Sequence, residues 1–231
     1  WRADSESWYT LLNLGGEYQY QGKSDGSPLE REVGVWANYN GKLQSYVGAN
    51  FWKGRESYLG EEFDTWALNG NAGFWPTGNV DIDAWWRTAN DIDISNVQQG
   101  REFGTGIGIG YRAGRHLQLR LSHDYTHMHV SGGKLYTGNL SYARAVYQFS
   151  RRCYVRAILQ YRHYDFDPDL YSYGMPSEQS GMGSQFLFSY KLNPQTVFFL
   201  GYSDGYYGDE DVELTRTDRT FFAKIGYAWV L

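Results

Sequence analysis

The sequence contains a single cysteine, Cys153, and five prolines placed singly among 231 residues. One thiol excludes a disulfide scaffold. No Ser/Pro-rich or charged tract separates two halves, so 1–231 reads as one domain. No stretch approaches the ~20 consecutive apolar residues that a membrane-spanning helix needs. There is no basic block either. Lys and Arg number 21 against 26 Asp and Glu, a formal net charge of -5, which argues against nucleic acid as a partner. The chain starts at Trp1 without a signal-peptide pattern, as a mature or truncated product would. What is present is aromatic: 21 Tyr, 12 Phe and 9 Trp, with 28 Gly. Disordered segments are poor in aromatics, so a folded, Gly-rich and aromatic chain is expected.

The dominant period is two, the mark of strands with two unlike faces. Leu117, Leu119 and Leu121 alternate with Gln118, Arg120 and Ser122. Val155, Ala157, Leu159 and Tyr161 alternate with Arg156, Ile158, Gln160 and Arg162. Phe221, Ala223, Ile225, Tyr227, Trp229 and Leu231 alternate with Phe222, Lys224, Gly226, Ala228 and Val230. Such runs predict about twelve strands, over 8–21, 30–40, 43–53, 65–75, 79–90, 100–112, 116–128, 136–149, 153–165, 183–192, 196–206 and 216–231. Each matches the ~9–11 residues with which a tilted strand crosses a bilayer. Soluble strands run shorter, about 5–6 residues, so a soluble β-sandwich is the weaker reading.

The connections alternate in length. Asn40-Gly41, Pro76 to Asn79, Ala113 to Arg115, Ser150 to Arg152 and Asn193 to Gln195 suit tight turns. Gly22–Pro28, Gly54–Asp64, Asp91–Gln99, His129–Leu135, Phe166–Gly181 and Gly208–Leu214 read as longer loops. Short turns on one rim and long loops on the other describe a transmembrane, antiparallel, up-and-down β-barrel. An even strand number puts both termini on the short-turn, periplasmic side, with Leu231 expected to hydrogen-bond to the first strand.

Three stretches carry a resemblance: NLSYARAVYQFSRRCYVRAILQY (139–161), FLFSYKLNPQTVFFLGYSDGYYGDE (186–210) and LTRTDRTFFAKIGYAWVL (214–231). They resemble the C-terminal barrel region of a bacterial domain-of-unknown-function family, in which that region follows a carbohydrate-binding family-9-like module. The resemblance is specific over the last hundred residues, in YKLNPQT and in the run from RTFF to the end. It implies a bacterial outer-membrane location, a link to glycans, and a chain that is the C-terminal part of a longer parent. It implies no activity.

Candidate site residues follow from which parity faces inward. With the apolar set outward, Arg120, Arg144, Arg156, Arg162 and Lys224 line the lumen, as do Glu17, Asp81 and Asp83. Trp36, Trp52 and Trp85 share the inward parity, as do Tyr46 and Trp75. Arg120, Arg144 and Arg156 fall on contiguous strands and are expected to form a basic strip, with the acidic groups elsewhere on the wall. Separated signs across a narrow lumen orient polar solutes and bias ion selectivity. Flat rings either stack on sugar faces or fill the lumen.

Other motifs carry less. His123, His127 and His129 in HDYTHMH share a strand face, but at ~3.3 Å per residue they spread over roughly 20 Å, too far for one metal ion. Ser122–His123 and Ser141 with His127 are loose candidates for nucleophilic catalysis. Asp81/Asp83 and Asp91/Asp93 face the same way, as a carboxylate pair for glycoside hydrolysis would, but pairs this close on one strand are common by chance. GTGIGIG (104–110) lacks the Lys-Ser/Thr ending of a phosphate loop; its inward glycines make space for a neighbour. The expected function is a narrow outer-membrane pore for small polar or anionic solutes, sugars among them. Membrane lipid surrounds it, and no cofactor, metal or covalent step is invoked. Nothing in the sequence sets an oligomeric state. Two alternatives stay open. One is a plugged barrel that anchors a glycan-binding or partner domain, marked by a salt-bridged lumen. The other is a barrel-wall lipid hydrolase, marked by a Ser–His hydrogen bond at the lipid-facing rim.

Overall fold

A computed structural model describes residue 1 and residues 7–24, 26, 28–193 and 195–228. Twelve strands follow one another in chain order: β1 (Tyr9–Gly22), β2 (Pro28–Gly41), β3 (Tyr46–Tyr58), β4 (Glu61–Thr77), β5 (Val80–Asp93), β6 (Gln98–Ala113), β7 (Leu117–Val130), β8 (Gly133–Ser150), β9 (Cys153–Phe166), β10 (Glu178–Asn193), β11 (Thr196–Asp209) and β12 (Thr215–Tyr227). They form a single sheet in which each strand pairs antiparallel with the next. This is the up-and-down topology that the alternation predicts.

Burial separates the two faces. Along β6 Gly104, Gly106, Gly108 and Gly110 are buried, while Ile107 and Ile109 stand exposed between them. On the same outward face Leu121 is 55% exposed, Phe186 49%, Leu200 50% and Ile225 69%. A soluble sandwich would press these side chains against a second sheet, and there is no second sheet among the described residues. Leaving so many large apolar groups in water forgoes about 1.5–3 kcal/mol for each one that could be buried. Lipid is the environment that removes this penalty.

The rims differ from expectation. Connections 42–45, 78–79, 114–116 and 151–152 lie on the short-turn rim, where β10 also ends and β11 begins. Tyr9 pairs with Gly41, and Tyr227 pairs with Thr196, so β1 begins and β12 ends on that same rim. At the other rim several expected loops are strand instead. β3 and β4 continue to a two-residue turn in which Leu59 has φ 49° and Gly60 φ 92°, the paired positive φ of a type I′ hairpin. Arg55 holds this extension together, with Nε donating to Asp64 at 2.9 Å and Nη1 3.6 Å from Glu62. β7 and β8 likewise meet through residues 131–132 alone. Among the described residues, 167–177 is the one connection on this rim that stays long.

The expected seam pairing falls on the chain's last residues. Leu231 lies outside the described residues, and among those described no ladder joins β12 to β1. Trp1 takes up part of the β1 edge: its α-ammonium group donates to Leu12 O at 2.7 Å, and its carbonyl accepts from Leu12 N at 2.9 Å. Those are backbone groups that a closing strand would use.

Cys153 opens β9 beside the 151–152 turn, half-buried, on the outward parity with Val155 and Ala157. A membrane-impermeant maleimide is expected to leave it unlabelled on intact cells and to reach it once the outer membrane is permeabilised. Rapid labelling of intact cells would invert the barrel.

Candidate functional site: the charged inner face

Register propagates one parity across the whole sheet. Asp81 pairs with Gly110, Gly110 with Arg120, and Arg120 with Arg144. Val146 pairs with Arg156, and Leu140 with Arg162. At the far side Phe199 pairs with Lys224. In the other direction Trp85 pairs with Asn71, Trp52 with Gly34, Trp36 with Gly15, and Gly34 with Glu17. Glu17, Trp36, Trp52, Asp81, Asp83, Trp85, Arg120, Arg144, Arg156, Arg162 and Lys224 therefore share one face, opposite the exposed apolar band.

The strip does not have the composition expected of it. Arg120 is clamped between two carboxylates: Nη1 donates to Asp81 at 2.8 Å and Nη2 donates to Asp83. Arg112 adds a longer contact to Asp81, at 3.8 Å. The glycines of GTGIGIG make this possible. A Cβ at Gly108 would strike Arg120 and Asp83, and one at Gly110 would strike Asp81. The three groups meet across β6 because β6 presents no side chain there. Arg120 thus leaves the basic strip, and Asp81 and Asp83 leave the acidic wall.

A second paired cluster sits higher on the same wall. Arg87 donates to Asp91 at 2.7 Å, to Glu102 at 3.2 Å and to Asn69 at 3.1 Å. Trp85 Nε1 donates to Asp124 at 2.7 Å. Arg87, Glu102 and Asp124 are absent from the sequence-based set, although the parity of Asp81, Asp83 and Trp85 points to Arg87. Asp93 does not pair with Asp91 as a catalytic dyad. It caps the 94–97 turn, accepting from Ser95 N at 3.1 Å, Asn96 Nδ2 at 2.7 Å and Gln98 Nε2 at 3.0 Å.

Either side of this paired belt, charge stands uncompensated. Among the described residues no carboxylate lies within 4.0 Å of Arg144, Arg156, Arg162 or Lys224. On the opposite flank Glu17, Glu32 and Glu56 border a cavity of about 380 Å³ together with Trp52, Asn69 and Arg87. Trp52 lies over Gly34 and Trp36 over Gly15, so each ring covers the neighbouring strand's glycine. Trp52 Nε1 donates to Asn50 at 2.9 Å, and Asn69 donates to the same oxygen at 2.8 Å.

The 167–177 connection ties into the rim on several sides. Asp167 N donates to Leu135 O at 3.1 Å, and Ser172 N donates to Asn96 Oδ1 at 2.9 Å. Ser177 N donates to Glu210 at 2.6 Å. Ser177, through hydroxyl and amide, holds the Glu210 carboxyl below its usual range. Burial, with Asp93 nearby, pushes the Tyr171 phenol up to about 12. The connection thus links the 94–97 turn to the 210–214 connection along the mouth.

The outward face carries the Ser–His contacts. Ser122 has the inward parity and His123 the outward, so they do not pair. His127 is not the partner of Ser141 either; His123 is, with Nδ1 2.9 Å from Oγ. A fuller chain lies on β9 and β10, with Ser180 Oγ 2.8 Å from His163 Nδ1 and His163 Nε2 3.2 Å from Asp165. Acyl transfer also needs donors aimed at an oxyanion. Ser180 sits mid-ladder between His163 and Gly208, where the surrounding backbone N–H groups serve the sheet.

No family model matches the chain, and no curated protein matches it. Among solved structures, the outer-membrane channel DcaP of Acinetobacter baumannii superposes with a TM-score of 0.51, over 94% of this chain and 81% of its own, at 11% identity. The fold is that of an outer-membrane β-barrel. In-vitro-folded OmpT, an outer-membrane protein of Vibrio cholerae, gives 0.49 at 11% identity, over 94% of this chain and 95% of its own. The NanC porin gives 0.39 at 11% identity, over 95% and 100%. At these identities the likeness speaks to the fold alone.

Proposed function

We propose that the chain is a bacterial outer-membrane barrel through which small polar solutes, anions and saccharides among them, pass by diffusion. The observation that carries this reading is the arrangement of charge on the inner face. Arg144, Arg156, Arg162 and Lys224 stand on one flank and Glu17, Glu32 and Glu56 on the other, separated by a self-compensated belt. Opposed fixed charges across a low-dielectric passage orient dipolar solutes and select ions. Trp36 and Trp52, held flat against the wall, offer apolar faces beside Asn and Glu acceptors, a combination suited to sugar rings. The resemblance of 139–161, 186–210 and 214–231 to a family that follows glycan-binding modules supports the saccharide class. In a bilayer the edges of β1 and β12 cannot stay unpaired, since each unsatisfied backbone group costs several kcal/mol. The pore reading therefore has this seam closed in the membrane, with the short-turn rim in the periplasm.

The plugged-anchor reading draws on the ion pairs of Arg87 and Arg120. Their partners all come from β4, β5 and β6, on one continuous stretch of wall. They run along the wall rather than across the lumen, which favours a lined passage over a plug. Planar-bilayer recording of the purified chain is expected to give discrete conductance steps. Replacing Arg144, Arg156 and Arg162 together with Glu is expected to move the reversal potential in a salt gradient towards cation preference. A folded barrel that gives no steps, or a triple variant with an unchanged reversal potential, overturns the reading.

A further inference from the structure

We propose that His163, Asp165 and Glu178 form a binding site for a divalent metal ion of the zinc class, on the outward face where β9 and β10 reach the rim. The site is independent of the pore reading. One imidazole nitrogen and one oxygen from each carboxylate lie within 4.8 Å of one another. Tetrahedral ligands about 2.0–2.2 Å from a zinc ion stand roughly 3.4 Å apart, so atoms already within 4.8 Å of one another need only a small further approach. Both carboxylates are exposed and able to make that movement.

Three features set this cluster apart from a chance group of surface acids. The first is register. Glu178 pairs directly with Asp165 across the β9–β10 ladder, and like charges in that position repel. The only cationic candidate within 4.0 Å of either, among the described residues, is His163 itself. A dication bound there turns that repulsion into attraction. The second is the orientation of the imidazole. Ser180 Oγ lies 2.8 Å from Nδ1 and Asp165 lies 3.2 Å from Nε2, so with a metal ion on Nε2 in place of its proton the serine would accept the Nδ1 proton. A hydrogen bond on the far nitrogen is how metal-binding histidines are commonly fixed. The third is position. Asp165 and Glu178 flank the stems of the 167–177 connection, so an ion held between them fastens that connection at its base. One nitrogen with two carboxylate oxygens suits zinc and its neighbours better than calcium, which takes 6–8 oxygen ligands. A water molecule would complete four-coordination.

The test uses the full chain, folded in detergent micelles and stripped with chelator, titrated with zinc sulfate against a chromophoric chelator. One equivalent is expected to bind. His163→Ala is expected to weaken binding at least tenfold, and Ser180→Ala to weaken it by roughly ten- to a hundredfold, as loss of an orienting partner does. The double variant His127→Ala with His129→Ala should bind as the parent does. Heat-modified gel mobility identifies folded barrels, and Asp165→Asn with Glu178→Gln, which retains side-chain size, replaces His163→Ala if that variant does not fold. Absence of bound zinc, or zinc that survives loss of His163 and disappears with His127 and His129, overturns the proposal.

Discussion

Replacing Leu119 with Arg is expected to cost about 2–4 kcal/mol of folding free energy in a bilayer, whereas Gln118→Arg, one residue away, should change it little. Leu119 lies on β7 between Leu117 and Leu121 on the outward parity, and it pairs with Tyr111 and Ala145. All of these project from the sheet into the apolar band. A guanidinium at that depth loses its hydration, and its ladder neighbours Tyr111 and Ala145 offer it no carboxylate. Gln118 has the opposite parity and pairs with Arg112 and Val146, so an arginine there faces the polar lumen. Denaturant titrations of folding into lipid vesicles measure both. Equal costs for the two variants would mean that the inner and outer faces are wrongly assigned, and with them every residue of the proposed site.

The alternation in the sequence was enough to place the strands, because a wall with lipid on one side and water on the other imposes period two. It misplaced the upper rim for the same reason. Above the apolar band both faces of a strand meet water, so Arg55, Glu62 and Asp64 continue the ladder without any apolar alternation to reveal it. The inner face was legible as a parity but not as a set of contacts. Arg120 and Asp81 are 39 residues apart, and they meet only because β6 offers glycine between them. The glycine run signalled space; the register decides what fills it. Ser180 and His163 stayed hidden because their pairing depends on register across the 167–177 connection. Seam closure rests on the even strand count and the connection lengths, since alternation along a strand does not say which strand its outer edge meets.

Removing the Arg120 guanidinium should be felt twice, in stability and in selectivity. The side chains of Arg120, Asp81 and Asp83 are 34%, 19% and 35% exposed, so the network is partly screened. Breaking a fully buried pair costs about 3–5 kcal/mol and an exposed one about 0–1 kcal/mol; Arg120→Ala is expected to fall between, at about 1–2 kcal/mol. The cost arises because Asp81 and Asp83, two residues apart on one face, then retain only the 3.8 Å contact from Arg112. Arg144→Ala removes the same formal charge from the directly paired position on β8, but it breaks no ion pair and should leave stability nearly unchanged. Both variants should move the reversal potential towards cations, Arg120→Ala further, because it uncovers carboxylates as well as deleting a cation. Adding Asp81→Asn and Asp83→Asn to Arg120→Ala should recover most of the lost stability and return the reversal potential towards that of the parent. A triple variant as unstable as Arg120→Ala alone would assign the loss to packing of the arginine stem rather than to the charges it holds.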